Sequence, residues 1–150
     1  CGIALLITRL PNLAIRPARG DDAQAIAAIY SWHVANGTAT FDTSAPEAEA
    51  WEEKLADFAA RALPFLVAER EGKVIAYAYA ARFRDRAAYA HTCEDSIYVS
   101  HEARGLGIGS MLLPALLDAA RGAGFEQMLA VIGGGEPASV ALHGKCGFVH

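Results

Sequence analysis

A glycine-rich loop between an apolar strand and an apolar helix is the most constraining feature of this chain. The strand ends with Ile97-Tyr98-Val99, and the loop runs Arg104-Gly105-Leu106-Gly107-Ile108-Gly109-Ser110 into the helix. Glycines at alternate positions permit positive φ values and let a ligand approach the backbone closely. The first turn of the helix adds unpaired N–H groups and the positive end of its dipole. The segment therefore predicts an anion site suited to a pyrophosphate, with Arg104 adding a charge-assisted contact.

Two other nucleotide-binding loops do not fit this spacing. A Walker A loop requires G-x-x-x-x-G-K-[ST], and no lysine follows here. A Rossmann fingerprint requires G-x-G-x-x-G after the first strand, whereas this G-x-G-x-G loop comes late and follows antiparallel strands. A glycine-rich turn that binds nothing is the remaining alternative from the loop alone.

The N-terminal half of the pattern predicts a strand and two helices. Residues 13–16 form a strand closed by Pro17, and Asp21 or Asp22 caps a helix that Gly37 stops. A capping-box start at residues 44–47, with Pro46 in the first turn, opens the next helix. The two apolar stripes consist of Ile26, Ile29, Tyr30, His33 and Val34, and of Trp51, Leu55, Phe58 and Ala62.

The C-terminal half predicts a hairpin over residues 65–69 and 74–81 with a turn at Glu71-Gly72, then an extended run to Val99. The helix after the glycine loop turns Leu112, Leu116 and Ala119 inward, and Pro114 predicts a kink or an irregular first turn. A buried strand over 125–132 and a helix over 137–145 complete the order β-α-α-β-β-β-α-β-α. We therefore expect an α+β fold with a mixed sheet, antiparallel early and parallel late.

Composition limits the class of protein. The chain has 150 residues, 53% of them hydrophobic, which suits one domain with a core of its own over residues 1–150. A net charge of −4 argues against duplex binding, and no apolar run approaches the length of a membrane span. Cys1, Cys93 and Cys146 include no C-x-x-C pair, so we expect neither a disulfide framework nor a metal site, and a cytoplasmic location. We expect residues 1–12 to be a leader outside the fold and C-terminal strands to be missing.

Spaced motifs make the chain resemble a known family. Arg104-x-x-Gly107-x-Gly109 is similar to the acetyl-CoA signature of the GCN5-related N-acetyltransferases (GNAT). Further segments resemble the phosphinothricin and methionine sulfoximine acetyltransferase group within that superfamily, and the match runs from about residue 15 to 148. These segments are Thr40-Phe41-Asp42, Phe83-Arg84-Asp85-Arg86-Ala87-Ala88-Tyr89, Thr92-Cys93-Glu94-Asp95-Ser96-Ile97-Tyr98-Val99 and Ala138-Ser139-Val140-Ala141-Leu142-His143.

The resemblance implies a GNAT fold in which acetyl-CoA lies between two splayed parallel strands, with helices on both faces of the sheet. The main chain of the first strand would pair with the pantetheine amides, and the glycine loop would take the pyrophosphate. The implied cofactor-binding residues are Ile97, Tyr98, Val99, Arg104, Gly105, Leu106, Gly107, Ile108, Gly109, Ser110, Glu136 and Ser139. Glu136 stands where the family usually has an asparagine, and a carboxylate cannot donate as that amide does.

The resemblance also implies catalytic residues. Glu94 would be the general base that deprotonates the substrate ammonium, directly or through water. Asp95 would point to the opposite face of a regular strand and be structural. His143 occupies the place where many relatives have a tyrosine that protonates the departing CoA thiolate. A packing or capping histidine on a short helix is the equally weighted alternative for His143.

The acceptor site is implied by the same resemblance. Arg84 and Arg86 would offer bidentate contacts to a carboxylate or phosphinate, beside Tyr89, and Phe41 would form an apolar wall. A solvated polar loop is the alternative for the two arginines.

Three functions follow from these residues. The first is direct acetyl transfer from acetyl-CoA to the α-amine of a small amino-acid-like substrate, by an enzyme whose relatives are often homodimers. The second is acetylation of a protein N-terminus or another amine. The third is a CoA-binding module that has lost catalysis, suggested by Glu136, Pro114 and the missing C-terminal strands. Nucleic-acid, membrane and metal roles are not expected.

Overall fold

The computed structural model describes residues 12–36, 44–83, 90–131 and 137–149. The strands are β1 (Leu13–Pro17), β2 (Phe65–Arg70), β3 (Lys73–Arg82), β4 (Thr92–Val99) and β5 (Gln127–Leu129). The helices are α1 (Ala23–Ala35), α2 (Ala48–Ala60), α3 (Ile108–Gly122) and α4 (Pro137–Lys145), with short 3-10 turns at Gly20–Asp22 and His101–Ala103. The predicted order of strands and helices is confirmed.

All five strands form one sheet in the order β1-β2-β3-β4-β5. The first four pair antiparallel, and β5 pairs parallel to β4. The β2–β3 hairpin turns at Glu71 and Gly72, whose φ values of 53° and 79° suit the twist of the two strands. The predicted mixed α+β sheet is therefore confirmed.

Each face of the sheet carries its own apolar core. On one face, α3 packs against β2, β3 and β4 through fully buried leucines at 112, 113 and 116. On the other face, α1 and α2 cover an aromatic cluster around Tyr77, which is completely buried. In the first stripe Ile26, Ile29, Tyr30 and His33 are buried, as predicted. The β4 side chains alternate between these two cores, and that alternation positions the site.

The helix boundaries correct two predictions for α2. The capping box at residues 44–47 is wrong, because α2 begins only at Ala48, after an extended Glu47 that makes no side-chain cap. Pro46 disfavours helical geometry in the residue before it, so the chain stays extended past that point. Ala62 does not belong to the apolar stripe: it lies beyond the helix end at φ 55° and is exposed. The N–H of Leu63 then donates to Phe58 O at 2.9 Å, which closes the helix end.

Three further local predictions are corrected. Asp22 precedes α1, but its carboxylate does not cap that helix. It accepts from the N–H of Arg19 at 2.7 Å, at the start of the 3-10 turn, and accepts two hydrogen bonds of 2.9 Å from Arg16. The helix α3 runs without interruption from Ile108 to Gly122, so its first turn is not irregular. Pro114 is exposed and has no N–H to donate to the carbonyl of Ser110. Of the predicted buried strand over 125–132, only Gln127–Leu129 forms a strand (β5) in the described chain. Leu129 and Val131 are 39% and 59% exposed. They are exposed because β5 lies at the edge of the sheet in the described part of the chain.

Candidate active site

A fork between β4 and β5 forms the centre of the candidate site. The parallel pairing joins Thr92, Cys93 and Glu94 to Gln127, Met128 and Leu129, and then stops. The strand β4 continues for five more residues with β3 as its neighbour on the other side. Glu94 is therefore the last residue of β4 before the two strands part. This agrees with the splayed parallel pair that the family resemblance implies.

The hydrogen-bond alternation of β4 shows which of its backbone groups face the fork. Phe83 N donates to Thr92 O, and Ser100 N donates to Ile75 O, so the even-numbered residues of β4 bond to β3. The backbone groups of Asp95, Ile97 and Val99 consequently point away from β3, into the fork. An extended ligand that carries amides could pair with this edge.

The glycine loop forms the floor at one end of the fork. Gly105 and Gly107 have φ values of 78° and 75°, which side-chain-bearing residues rarely adopt. Gly107 is the N-cap of α3, and no side chain caps that end, so the first-turn N–H groups of the helix are open to a ligand. A Cβ on Gly109 would lie 3.0 Å from Leu142 Cδ2, so glycine is what lets α3 approach α4 closely.

One cleft of about 380 Å³ joins the fork to the glycine loop. Its walls contain most of the predicted cofactor-binding residues, namely Ile97, Tyr98, Val99, Arg104, Gly105, Gly107, Ile108, Gly109, Ser110 and Ser139. Leu106 is missing from these walls and is 41% exposed, and Glu136 lies outside the described residues. Backbone donors at a helix N-terminus, an arginine and an unpaired strand edge suit a diphosphate joined to an amide-bearing arm. The residues present therefore fit acetyl-CoA.

A histidine that the sequence analysis assigned only to the apolar stripe of α1 also lines this cleft. His33 is buried, and its Nε2 lies 2.9 Å from Val99 O. Burial lowers the pKa of His33, and the nearby cations Arg104 and His101 act in the same direction, against the bond to Val99. The neutral ring therefore donates from Nε2 to a carbonyl at the end of the fork. A polar residue within an otherwise apolar helix face was the signal that could have indicated this role.

Arg104 is held at the mouth of the cleft by an aromatic stack. Its guanidinium lies 4.9 Å from the centroid of the Trp32 ring, and His101 stacks on the same ring at 4.5 Å. Cation–π contact and stacking of this kind orient an exposed arginine. Arg104 is thus directed by its neighbours near the N-terminus of α3.

Glu94 and Asp95 lie on opposite faces of β4. Glu94 is partly buried, pairs across the sheet with Ala81, and shares its face with Tyr98, which packs on Tyr30 of α1. Asp95 is buried on the α3–α4 face, as the sequence analysis expected. Of the two carboxylates, only that of Glu94 therefore shares a face with α1 and α2 at the point where the strands part.

His143 bonds to Asp95 and does not line the cleft. Its Nε2 lies 2.7 Å from Asp95 Oδ2, and its Nδ1 lies 2.8 Å from Ser139 O. Burial lowers the pKa of His143, but the bonds to Asp95 and Ser139 outweigh it and raise the pKa above the ordinary value. Because both ring nitrogens are bonded and the side chain is buried, this geometry favours the packing role over proton donation to a leaving thiolate.

A smaller cavity of about 220 Å³ lies between α2 and the sheet, on the face of Glu94. It is lined by Tyr30, Pro46, Ala50, Trp51, Lys54, Tyr79 and Tyr98. Tyr98 lines both this cavity and the larger cleft. The predicted acceptor residues Phe41, Arg84, Arg86 and Tyr89 lie outside the described residues.

Three other observations concern the rest of the described chain. A larger cavity of about 430 Å³ under α2 and the end of α3 is lined only by apolar side chains and glycine, and offers no group for chemistry. Within the described ranges, no three His, Cys, Asp or Glu side chains cluster as metal ligands would. No helix in those ranges combines the length and apolarity needed to cross a bilayer.

Comparison with known proteins bears on this geometry. The sequence model that describes the acetyltransferase (GNAT) family matches residues 26–148 of this chain. The chain is 43% identical over 136 residues to a phosphinothricin N-acetyltransferase of Alcaligenes faecalis, covering 90% of this chain and 69% of that protein. It is 37% identical over 144 residues to an L-methionine sulfoximine/L-methionine sulfone acetyltransferase of Pseudomonas paraeruginosa. That match covers 91% of this chain and 80% of the relative.

A solved structure matches the fold as well. The crystal structure of a GNAT superfamily phosphinothricin acetyltransferase from Sinorhizobium meliloti, in complex with acetyl-CoA, superposes with a TM-score of 0.88. The two proteins are 43% identical, and the match covers 92% of this chain and 75% of that one. The fold thus agrees with that of a protein crystallised with acetyl-CoA.

Proposed function

Because this chain belongs to the acetyltransferase (GNAT) family, we propose that it moves the acetyl group of acetyl-CoA to the α-amine of a small amino-acid-like substrate. The relatives above act on phosphinothricin and on methionine sulfoximine or sulfone, and we propose the same class of acceptor here. The observation that carries the proposal is the cleft in which the edge of β4 at Ile97 and Val99 lies beside the N-terminus of α3.

The cleft residues supply the binding of the cofactor in this proposal. Acetyl-CoA, when bound, supplies the acetyl group as a thioester, and transfer exchanges its C–S bond for an amide C–N bond and releases the CoA thiol. The N–H groups of Gly107 to Ser110 would hold the diphosphate, with Arg104 as its cation. The backbone of Ile97 and the N–H of Val99 would pair with the amide-bearing arm, since Val99 O already accepts from His33. Tyr98 contributes its ring, because its backbone faces β3.

Glu94 would act as general base. An ammonium has no lone pair, so it must lose a proton before the nitrogen can attack a thioester. The Glu94 carboxylate lies where the strands part and on the face of the second cavity, so an acceptor amine entering from that face would meet it. It would take the proton directly or through one water. We propose direct transfer in a ternary complex, which predicts intersecting rather than parallel initial-rate patterns.

Thiol release measured with acetyl-CoA and phosphinothricin or methionine sulfoximine tests the acceptor class. Turnover of at least one acceptor by the folded protein is expected, and no turnover of either would overturn the substrate proposal.

A single substitution tests the base. Glu94→Gln should lower kcat by about 10²–10⁴-fold, the usual contribution of a general base, while acetyl-CoA affinity by titration calorimetry stays close to wild type. Glu126→Gln removes an exposed carboxylate that lies just before β5 and outside the walls of both cavities; it is the matched control and should leave both quantities unchanged. A Glu94→Gln enzyme with wild-type kcat would contradict the role.

Two finer features belong to the same proposal. The free thiols of Cys93 and Cys146 suit a reducing cytoplasm, and burial raises the pKa of Cys93 to about 11, which keeps that thiol protonated. We propose a homodimer in line with the expectation from the family, and light scattering after size exclusion measures it.

A further inference from the structure

Lys54 on α2 has surroundings that are unusual for a lysine. The side chain is partly buried, and its Nζ donates to the hydroxyl of Tyr79 at 2.8 Å. The same ammonium lies 4.2 Å from the centroid of the Tyr79 ring, 5.2 Å from that of Trp51 and 5.9 Å from that of Phe58. Among the described residues, no carboxylate forms an ion pair with it. A cation held among aromatic rings without a counter-ion is suited to bind an anion.

A second donor lies in the wall of the same cavity. Trp51 is 4% exposed, and its indole Nε1 is buried with no hydrogen-bond acceptor in the described part of the chain. A buried N–H without an acceptor costs free energy that an oxygen-bearing occupant would recover. The remaining walls include the aromatic rings of Tyr30, Tyr79 and Tyr98. The chemistry of the cavity therefore suits a small ligand with an apolar body and an anionic oxygen-bearing end.

The strand register gives the backbone spacing along β4 between Glu94 and the residue opposite Tyr79, which lines the cavity. Tyr79 pairs with Ser96 across β3 and β4, and Ala81 pairs with Glu94. Ser96 and Glu94 are two residues apart on one face of β4, or about 7 Å. An amino acid whose side chain ends in a tetrahedral phosphorus or sulfur group has about that length between its amine and its terminal oxygens.

We propose that Lys54, assisted by the indole N–H of Trp51, binds the anionic oxygens at the end of the acceptor side chain while the acceptor amine faces Glu94. This inference rests on the proposed function and adds a specificity determinant to it. Lys54 does not touch the reacting atoms, so its charge should discriminate between acceptors and leave kcat nearly unchanged.

The test compares phosphinothricin, whose side chain ends in a charged methylphosphinate, with L-methionine sulfone, whose side chain ends in a neutral methyl sulfone. Lys54→Met keeps the aliphatic stem over the rings and removes the ammonium together with its hydrogen bond to Tyr79. It should raise KM for phosphinothricin by about 10–100-fold, the range for a lost hydrogen bond to a charged group. KM for methionine sulfone should rise less than about threefold, and the KM of acetyl-CoA should not change. Lys54→Arg, which keeps the charge, should retain most of the preference for phosphinothricin.

Matched variants separate specific effects from general ones. Lys73→Met removes an exposed lysine that pairs with Glu102 at 3.4 Å, and it should leave both KM values unchanged. Trp51→Phe keeps the ring and removes the N–H, and it should raise KM for both acceptors by about 2–10-fold. Thermal melts verify that each variant is folded.

Each outcome decides one proposal. An equal rise in KM for both acceptors in Lys54→Met would assign Lys54 to the α-carboxylate that they share and overturn this inference. An unchanged KM for phosphinothricin would overturn it as well. If the wild-type protein turns over neither acceptor, the proposed function itself fails, and this inference fails with it.

Discussion

Replacing Asp95 by asparagine removes the buried charge that holds α4 to β4. In the structure the Asp95 carboxylate accepts from His143 Nε2 at 2.7 Å, and the two side chains are only 2% and 5% exposed. Asparagine keeps the shape and an acceptor oxygen but carries no charge. The loss is therefore that of one charge-assisted hydrogen bond, about 2 kcal/mol. For a domain of this size, that corresponds to a fall in Tm of about 4–8 °C.

The effect should depend on pH in a stated direction. The bonds to Asp95 and Ser139 raise the pKa of His143 above its unfolded value, despite the opposing effect of burial. The stabilisation is therefore fully present below about pH 6.5, the unfolded pKa, and is lost as pH rises through the folded pKa. Asp95→Asn lacks the charge that holds this proton, so the difference in free energy of unfolding between the two proteins should shrink from pH 6 to pH 9.

The difference in free energy of unfolding between wild type and Asp95→Asn excludes titrating groups that behave alike in both proteins. Burial lowers the pKa of His33, so His33 contributes stability above about pH 6.5 that is lost as pH falls, the opposite sense to His143. Both proteins contain His33, and its contribution cancels in the difference.

Urea denaturation at pH 6, 7, 8 and 9 measures the effect. Asp118→Asn, which breaks an exposed pair with Arg121, is the control and should change nothing measurable. Equal stability of wild type and Asp95→Asn at pH 6, or a difference that does not vary with pH, would refute the reasoning.

Two further predictions concern the glycine loop and the core. Gly107→Ala and Gly72→Ala place a Cβ at φ 75° and 79° with no atom within 4 Å, so both should cost about 1–2 kcal/mol in chemical denaturation. Only Gly107→Ala should also weaken acetyl-CoA binding in calorimetry, by tenfold or more, and equal binding by both variants would argue against the loop as the diphosphate site. Leu116→Ala empties a fully buried position between α3 and the sheet and should cost about 3 kcal/mol in urea denaturation; a loss under about 1 kcal/mol would mean that the core refills the cavity.

The local patterns of the chain were sufficient for the order of its elements. Apolar spacing in α1, the Glu71-Gly72 turn and the glycine loop depend on neighbours a few residues away, and the structure has all three. The wrong prediction for the strand after α3 depended on distant context. The run at residues 125–132 is apolar like a central strand, but its place at the edge of the sheet leaves Leu129 and Val131 exposed in the described chain.

By itself, the sequence determined a mixed sheet and a late glycine loop after an apolar strand, and these led to the expectation of an anion site at a helix N-terminus. It could not determine which distant side chains meet there. His33 reaches Val99 across 66 residues, His143 reaches Asp95 across 48, and Lys54 reaches Tyr79 across 25. These partners are selected by strand register and by the packing of helices on the two faces, where a shift of one residue would turn a β4 side chain to the other core. Periodicity indicates that a residue is buried, and only the assembled sheet decides what it touches.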